Sequence, residues 1–138
     1  MPGIDFSAGP TVLWFFKVTC PVCQMAAPVA RALSDAFPGR VTGVGQDPAE
    51  KLAQFDRTYG LGLASQADLP PYALSNAYGI TVVPTLFVVG ADGAILDSVE
   101  SWDRDGYGRV GERLAQMLRV EPPDLSAVTA TLPVFRPG

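Results

Sequence analysis

Apolar and polar residues fall along this chain in blocks whose period switches between that of strands and that of helices. Thr11 to Val18 (TVLWFFKV) is a nearly continuous apolar run rich in aromatic and β-branched residues, the pattern of a strand buried on both faces. Cys20 to Phe37 then reads as a helix, with Met25, Val29 and Leu33 at four-residue spacing and Pro38-Gly39 as its stop. Val41 to Gly45 is short and strand-like. Asp47-Pro48-Ala49-Glu50 is a helix start, with Asp47 as N-cap and Pro48 at the first position, followed by Leu52, Phe55 and Tyr59 on one face. A short strand is expected over Gly60 to Ser65, and Pro70-Pro71 opens a brief helix through Leu74 to Tyr78. Thr85 to Val89 and Ala94 to Ser101 are strands joined by Ala91-Asp92-Gly93, whose Asp-Gly pair favours a tight hairpin. A last helix runs from about Asp105 to Arg119, with Tyr107, Val110, Leu114 and Leu118 as its buried stripe. The succession βαβ, hairpin, helix predicts an α/β sandwich with helices on both faces of a central sheet.

Residues 1–121 form the expected domain, and the proline-rich residues 122–138 a tail. In the tail Val128, Ala130, Leu132 and Val134 alternate with Thr129, Thr131 and Pro133, which permits an added edge strand. At 138 residues a single domain is expected, since a chain of this size buries roughly 68–70% of its unfolded surface. Ten Lys and Arg against 14 Asp and Glu leave no basic footprint for nucleic acid or an anionic membrane. The longest apolar stretch, Thr81 to Val89, is broken by Pro84 and falls short of the ~20 residues of a membrane span. MPGIDFSAGP has neither the basic nor the apolar region of a leader, which favours the cytoplasm for the chain as given; a periplasmic or exported location follows if a leader was removed.

Candidate chemistry narrows sharply at the next count: the chain has two cysteines and no histidine. That excludes Ser-His-Asp and Cys-His nucleophile systems, HExxH zinc sites and histidine-ligated haem. Both cysteines lie in Cys20-Pro21-Val22-Cys23, where a buried strand ends and a helix begins. Unpaired N–H groups and the helix dipole stabilise an anion there, so Cys20 is expected to be a nucleophilic thiolate with a depressed pKa. Cys23, one turn further on, is close enough to attack Cys20 once a mixed disulfide has formed. The competing readings are two buried core cysteines, or half of a zinc site, which would need two more ligands from elsewhere. A C-x-x-C beside a βαβ pattern favours redox chemistry.

These segments resemble the thioredoxin superfamily, and within it the redoxin branch of TlpA-like disulfide reductases. CPVCQMAAP resembles the active-site helix, including Pro28 where thioredoxins carry a kinking proline; YGITVVPTLFVV (Tyr78 to Val89) resembles the cis-proline segment; AEKLAQFDRTYGL (Ala49 to Leu61) resembles the extra helix and strand of redoxins. The match runs from about Thr11 to Arg119. It implies a thioredoxin-like α/β fold, a central mixed sheet flanked by helices on both faces, and a thiol-disulfide oxidoreductase in which Cys20 attacks and Cys23 resolves. It also implies a cis Val83–Pro84 bond at the start of a strand antiparallel to the first, with the Val83 main chain offered to an extended substrate and apolar contacts around Val22 and Val82. The implied partners are a disulfide-containing protein substrate and a separate thiol reductant protein; no bound organic cofactor and no metal is implied.

The chain also departs from the family pattern. Thr19 replaces the usual Trp before the first cysteine, Pro21-Val22 replaces Gly-Pro, and the first strand carries no buried acid. Without a histidine before the second cysteine, a reductant or isomerase is favoured over a strong oxidase. In the TlpA-like branch a carboxylate just after the second strand serves proton transfer, and Asp47 stands at the matching position while also reading as an N-cap. Lys17 is the nearest cation in sequence, a candidate to stabilise the thiolate and equally readable as an exposed lysine. Trp102 either flanks the dithiol or packs in the core. Met1 to Pro10 is too short for the hairpin that commonly opens redoxins. A peroxiredoxin-like thiol peroxidase is a second reading, although neither cysteine has the Pro-x-x-x-Thr/Ser-x-x-Cys offsets. A non-catalytic, redox-switched interaction module is a third.

Overall fold

The computed structural model describes residues 4–138. The Thr11–Val18 block folds as strand β1, Thr11–Phe16, and every residue from Val12 to Phe16 is buried. Alternation splits that strand between two cores: Val12, Trp14 and Phe16 face one, Leu13 and Phe15 the other. Strand β1 therefore needs cover on both sides. Helix α1, Pro21–Ala36, supplies it on the first face with Val22, Cys23, Ala26, Val29, Ala30 and Leu33, and it runs unbroken through Pro28. Strand β2, Val41–Gly45, pairs parallel to β1, and helix α2, Ala49–Tyr59, packs Leu52 and Phe55 on the same face as α1. Gly45 makes that approach possible: a β-carbon there would collide with Leu52 and come within 3.1 Å of the Phe16 ring.

Strand β3 is Ser65–Ala67, parallel to β2, and not Gly60 to Ser65 as expected. Gly60 is spent on ending α2, where its left-handed conformation (φ 65°) lets its N–H reach the Asp56 carbonyl. The brief helix after the proline pair, α3, spans Ala73–Ala77 and follows a cis Pro70–Pro71 bond. Its first turn is capped from a distance by the buried Asp68, whose carboxylate accepts from Leu74 N–H (3.1 Å), Ser75 N–H (2.8 Å) and Ser75 Oγ–H (2.6 Å). Leu74 of α3, with Phe6, Ile4, Tyr78 and Ile80, covers the second face of the sheet.

Strands β4, Thr85–Val89, and β5, Ile95–Glu100, form the expected hairpin around Gly93 (φ 85°). Strand β4 is antiparallel to β1, so the mixed sheet has the order β3-β2-β1-β4-β5. After a short strand β6, Trp102–Asp103, helix α4, Arg104–Leu118, begins with Asp103 as its N-cap and buries Tyr107, Val110 and Leu114 as the spacing predicts. The tail departs from expectation. Ser126–Thr129 is a short helix, α5, and the extended segment is β7, Phe135–Arg136, paired with β6 outside the central sheet. Ile4 to Pro10 contains no strand, and residues 1–3 lie outside the described part. Among the described residues no helix is long and apolar enough to cross a membrane.

Candidate active site

The register Phe15↔Thr85 sets the end of β1 beside the start of β4. From there the chain turns through Lys17–Thr19 into Cys20, which is the N-cap of α1 in extended conformation, with Pro21 at the first helical position. The Cys20 sulfur stands where a capping oxygen usually does: the Cys23 N–H donates to Cys20 Sγ at 3.1 Å. Two side chains hold the turn leading to it. Asp47 Oδ2 accepts from the Val18 N–H at 2.9 Å, and Gln24 Nε2 donates to the Val18 carbonyl at 2.9 Å. Val18 is thus clamped through both of its main-chain polar groups.

On the other side of the sulfur lies the Val83–Pro84 bond, which is cis as the resemblance implies. The Cys20 sulfur lies 3.5 Å from the Val83 carbonyl oxygen, to which it donates when protonated, joining residues 63 apart in sequence. Among the described residues no protein group accepts from the Val83 N–H. Pro84 is buried, and its carbonyl accepts from the Ser101 N–H at 2.8 Å.

The two thiols lie in opposite environments. Cys20, half-buried, has its pKa pushed down to about 6, chiefly by its hydrogen bond with Cys23. Partial burial works against that shift, while the Cys23 and Val22 N–H groups and the charge of Lys17 add to it. Cys23 is fully buried; burial first, and the hydrogen bond with Cys20 second, push its thiol upward. At neutral pH the pair is therefore one exposed-side thiolate and one buried thiol. Both cysteines are free. Tyr107 is also fully buried: burial raises its pKa, the 2.8 Å hydrogen bond from Trp14 Nε1–H works against this, and the neighbouring cysteine charges raise it further.

Of the residues singled out from sequence, Cys20, Cys23, Val83 and Pro84 meet at one point. Lys17 is exposed and makes the smallest of the named contributions to the Cys20 shift. Asp47 is not the side-chain cap of α2: Pro48 is the N-cap residue, without a side-chain hydrogen bond, and the carboxylate reaches the strand end at Val18. The reason is that β1 ends at Phe16, which leaves the Val18 N–H without a ladder partner. Val22 is turned into the core at 5% exposure, so Pro21 is the exposed spacer of the motif. Trp102 is wholly buried against Tyr107 and donates through Nε1 to the Pro133 carbonyl at 2.7 Å. Gln24 and the Trp14–Tyr107 pair were not legible as site residues. Nothing local distinguishes a glutamine one position after a cysteine, and Tyr107 reads only as one member of an apolar stripe.

The sequence model of the AhpC/TSA family matches residues 4–98, more than half of the chain. The chain belongs to the AhpC/TSA family. Among solved structures, this AhpC/TSA-family chain is 27% identical to a secreted Mycobacterium tuberculosis disulfide oxidoreductase homologous to E. coli DsbE, over 68% of this chain and 70% of that one, with a TM-score of 0.57. It is 28% identical to MTB dsbF, solved in mixed oxidized and reduced forms, over 78% and 80% of the two chains, with a TM-score of 0.62. A thioredoxin-family thiol:disulfide interchange protein from Chlorobium tepidum TLS, 20% identical with a TM-score of 0.63 over 78% and 81%, shares the fold. None of the curated proteins matches this sequence. Family and neighbours agree that the protein is a redoxin of the thioredoxin superfamily and a thiol-disulfide oxidoreductase.

Proposed function

We propose that this AhpC/TSA-family protein is a disulfide reductase that acts on protein disulfides through Cys20 and Cys23. The observation that carries the reading is the sulfur of Cys20, held at the start of α1 by the Cys23 N–H and within 3.5 Å of the Val83 carbonyl. The Cys20 thiolate attacks one sulfur of a substrate disulfide; a mixed disulfide forms and the first substrate thiolate leaves. Cys23 then loses its proton and attacks Cys20 Sγ, releasing the second substrate thiol and leaving a Cys20–Cys23 disulfide. Two electrons pass to the substrate, and a separate thiol protein returns them. The high pKa of Cys23 suits this order, because the resolving thiol stays protonated until the attack on Cys20 has taken place.

An extended substrate segment pairs on the Val83 main chain, whose N–H is unused within the described residues. Asp47 serves as a positioning residue through Val18, and Lys17 as a minor contributor to the thiolate. Insulin reduction with a dithiol donor tests the scheme. Cys20→Ser is expected to abolish turnover, and Cys23→Ser to accumulate mixed disulfides with substrate. Turnover by Cys20→Ser overturns the assignment, and so does rapid peroxide consumption with no disulfide reduction, the result expected of a thiol peroxidase.

A further inference from the structure

The main-chain edge at Val83 is already met by another part of the chain. The tail is first anchored: Leu125, Val128 and Leu132 pack against the core, the Arg104 guanidinium donates to the carbonyls of Thr129 (3.0 Å) and Leu132, and Trp102 Nε1 donates to the Pro133 carbonyl at 2.7 Å. Beyond Pro133 the segment changes character. The Arg104 N–H donates to the Val134 carbonyl at 2.9 Å, β7 pairs with β6 in the register Trp102↔Arg136 and Asp103↔Phe135, and the Gly138 N–H donates to Ser101 Oγ at 3.0 Å. That course ends with the Gly138 backbone against the Val83–Pro84 bond. A β-carbon on Gly138 would run into the Val83 carbonyl oxygen and lie 2.8 Å from its carbon and 3.4 Å from Pro84 N.

Residues 133–138 are all exposed, including Val134 at 58% and Phe135 at 57%. The segment is thus seated by main-chain hydrogen bonds with almost no apolar burial, the profile of a piece that opens locally while the fold stays intact. A substrate strand and Gly138 cannot both occupy the space over the Val83 carbonyl. We propose that residues 134–138 are a strap that shields the Val83 edge and must swing away, hinged near Pro133, before an extended protein disulfide can pair there, while small disulfides reach Cys20 without displacing it. The strap is a specificity element for the reaction proposed above, and it rests on the reading of Val83 as the substrate edge.

Rates of attack by the pre-reduced protein on two probes test it: a disulfide joining two unstructured peptides, and hydroxyethyl disulfide. Three proteins are compared, namely the full chain, a variant lacking residues 135–138, and Ser101→Gly, which removes the hydroxyl that holds Gly138 and tolerates the positive φ of Ser101 (66°). With the strap removed, the peptide rate is expected to rise about tenfold, the penalty for an edge that is open about a tenth of the time, with the hydroxyethyl disulfide rate unchanged. Ser101→Gly should show the same selectivity at a smaller gain, and it decides the matter if the truncated protein melts early. A faster peptide than small-molecule reaction in the full chain, with neither variant altering it, overturns the strap and leaves the Val83 edge standing. No preference for the peptide in any of the three overturns the edge and the strap together. A slower peptide reaction in both variants also overturns the proposal, because the segment would then be part of the binding surface.

Discussion

Two segments meet at the Val83 carbonyl, and they are built by different forces. The β1–α1 turn is seated on the core: Phe16, Val22 and Cys23 around it are buried, and Asp47 and Gln24 fasten Val18 within it. The segment after Pro133 rests on main-chain pairing and one hydrogen bond to the Ser101 hydroxyl, and exposes its own Val134 and Phe135. Packing of the first kind holds a reacting atom in place; hydrogen bonding of the second kind leaves a segment free to open. On the proposed reading, the contrast puts the reacting sulfur on a rigid segment and leaves access to Val83 to a compliant one.

Stability measurements should break the two sides apart most widely. Leu33→Ala, which empties a fully buried position of α1, is expected to cost about 2–5 kcal/mol in denaturant unfolding. Removal of residues 135–138 should cost about 1–2 kcal/mol, the net worth of a few exposed hydrogen bonds. Equal losses would show that the tail tip is structural and not a compliant strap.

Next in size is the pH dependence of the turn. Alkylation of Cys20 should titrate at about 6, and Cys23→Ala should move the midpoint upward by removing the largest cause of the depression. The folded-state pKa lies below the unfolded value of 9.0, so the Cys20 contribution to the stability of the reduced protein is complete above about 9 and is lost as pH falls through about 6. Reduced protein should therefore gain stability between those two values, and Cys20→Ser should not. A flat profile for the unaltered protein would remove the thiolate from the scheme. The smallest effect is reserved for Asp47. Asp47→Ala loses the acceptor for Val18 and should raise the Cys20 titration midpoint by less than about one unit, whereas Asp47→Asn, which keeps an acceptor oxygen, should restore it. The same shift in both variants would point to charge and not to positioning.

Much of the fold was legible because its signals are local. The buried run of β1, the stripe of α4 and the Asp-Gly hairpin each rest on residues a few positions apart, and all three elements stand where the pattern puts them. The misses share a cause. Strand β3 starts later than the pattern predicts because Gly60 is as compatible with a helix terminus as with a strand start, and neighbouring packing decides between them. Asp47 followed by proline reads as a cap, yet the Val18 N–H, 29 residues back in the chain, claims the carboxylate. The alternating tail could not reveal that its partner is the two-residue strand after Ser101.

By itself the sequence determined that two thiols stand one helical turn apart at the start of a helix, with no imidazole in the chain to activate them. Those properties depend on neighbours within a single turn, where covalent spacing is enough. Only the tertiary structure decided that the Cys20 sulfur faces Val83, that Cys23 is cut off from water, that Asp47 and Gln24 grip the turn, and that Gly138 lies against the Val83–Pro84 bond. The Cys20–Val83 and Asp47–Val18 contacts and the burial of Cys23 come from covering both faces of one sheet, Gly138 reaches Val83 through the separate β6–β7 pair, and none of these is set by a local run of residues.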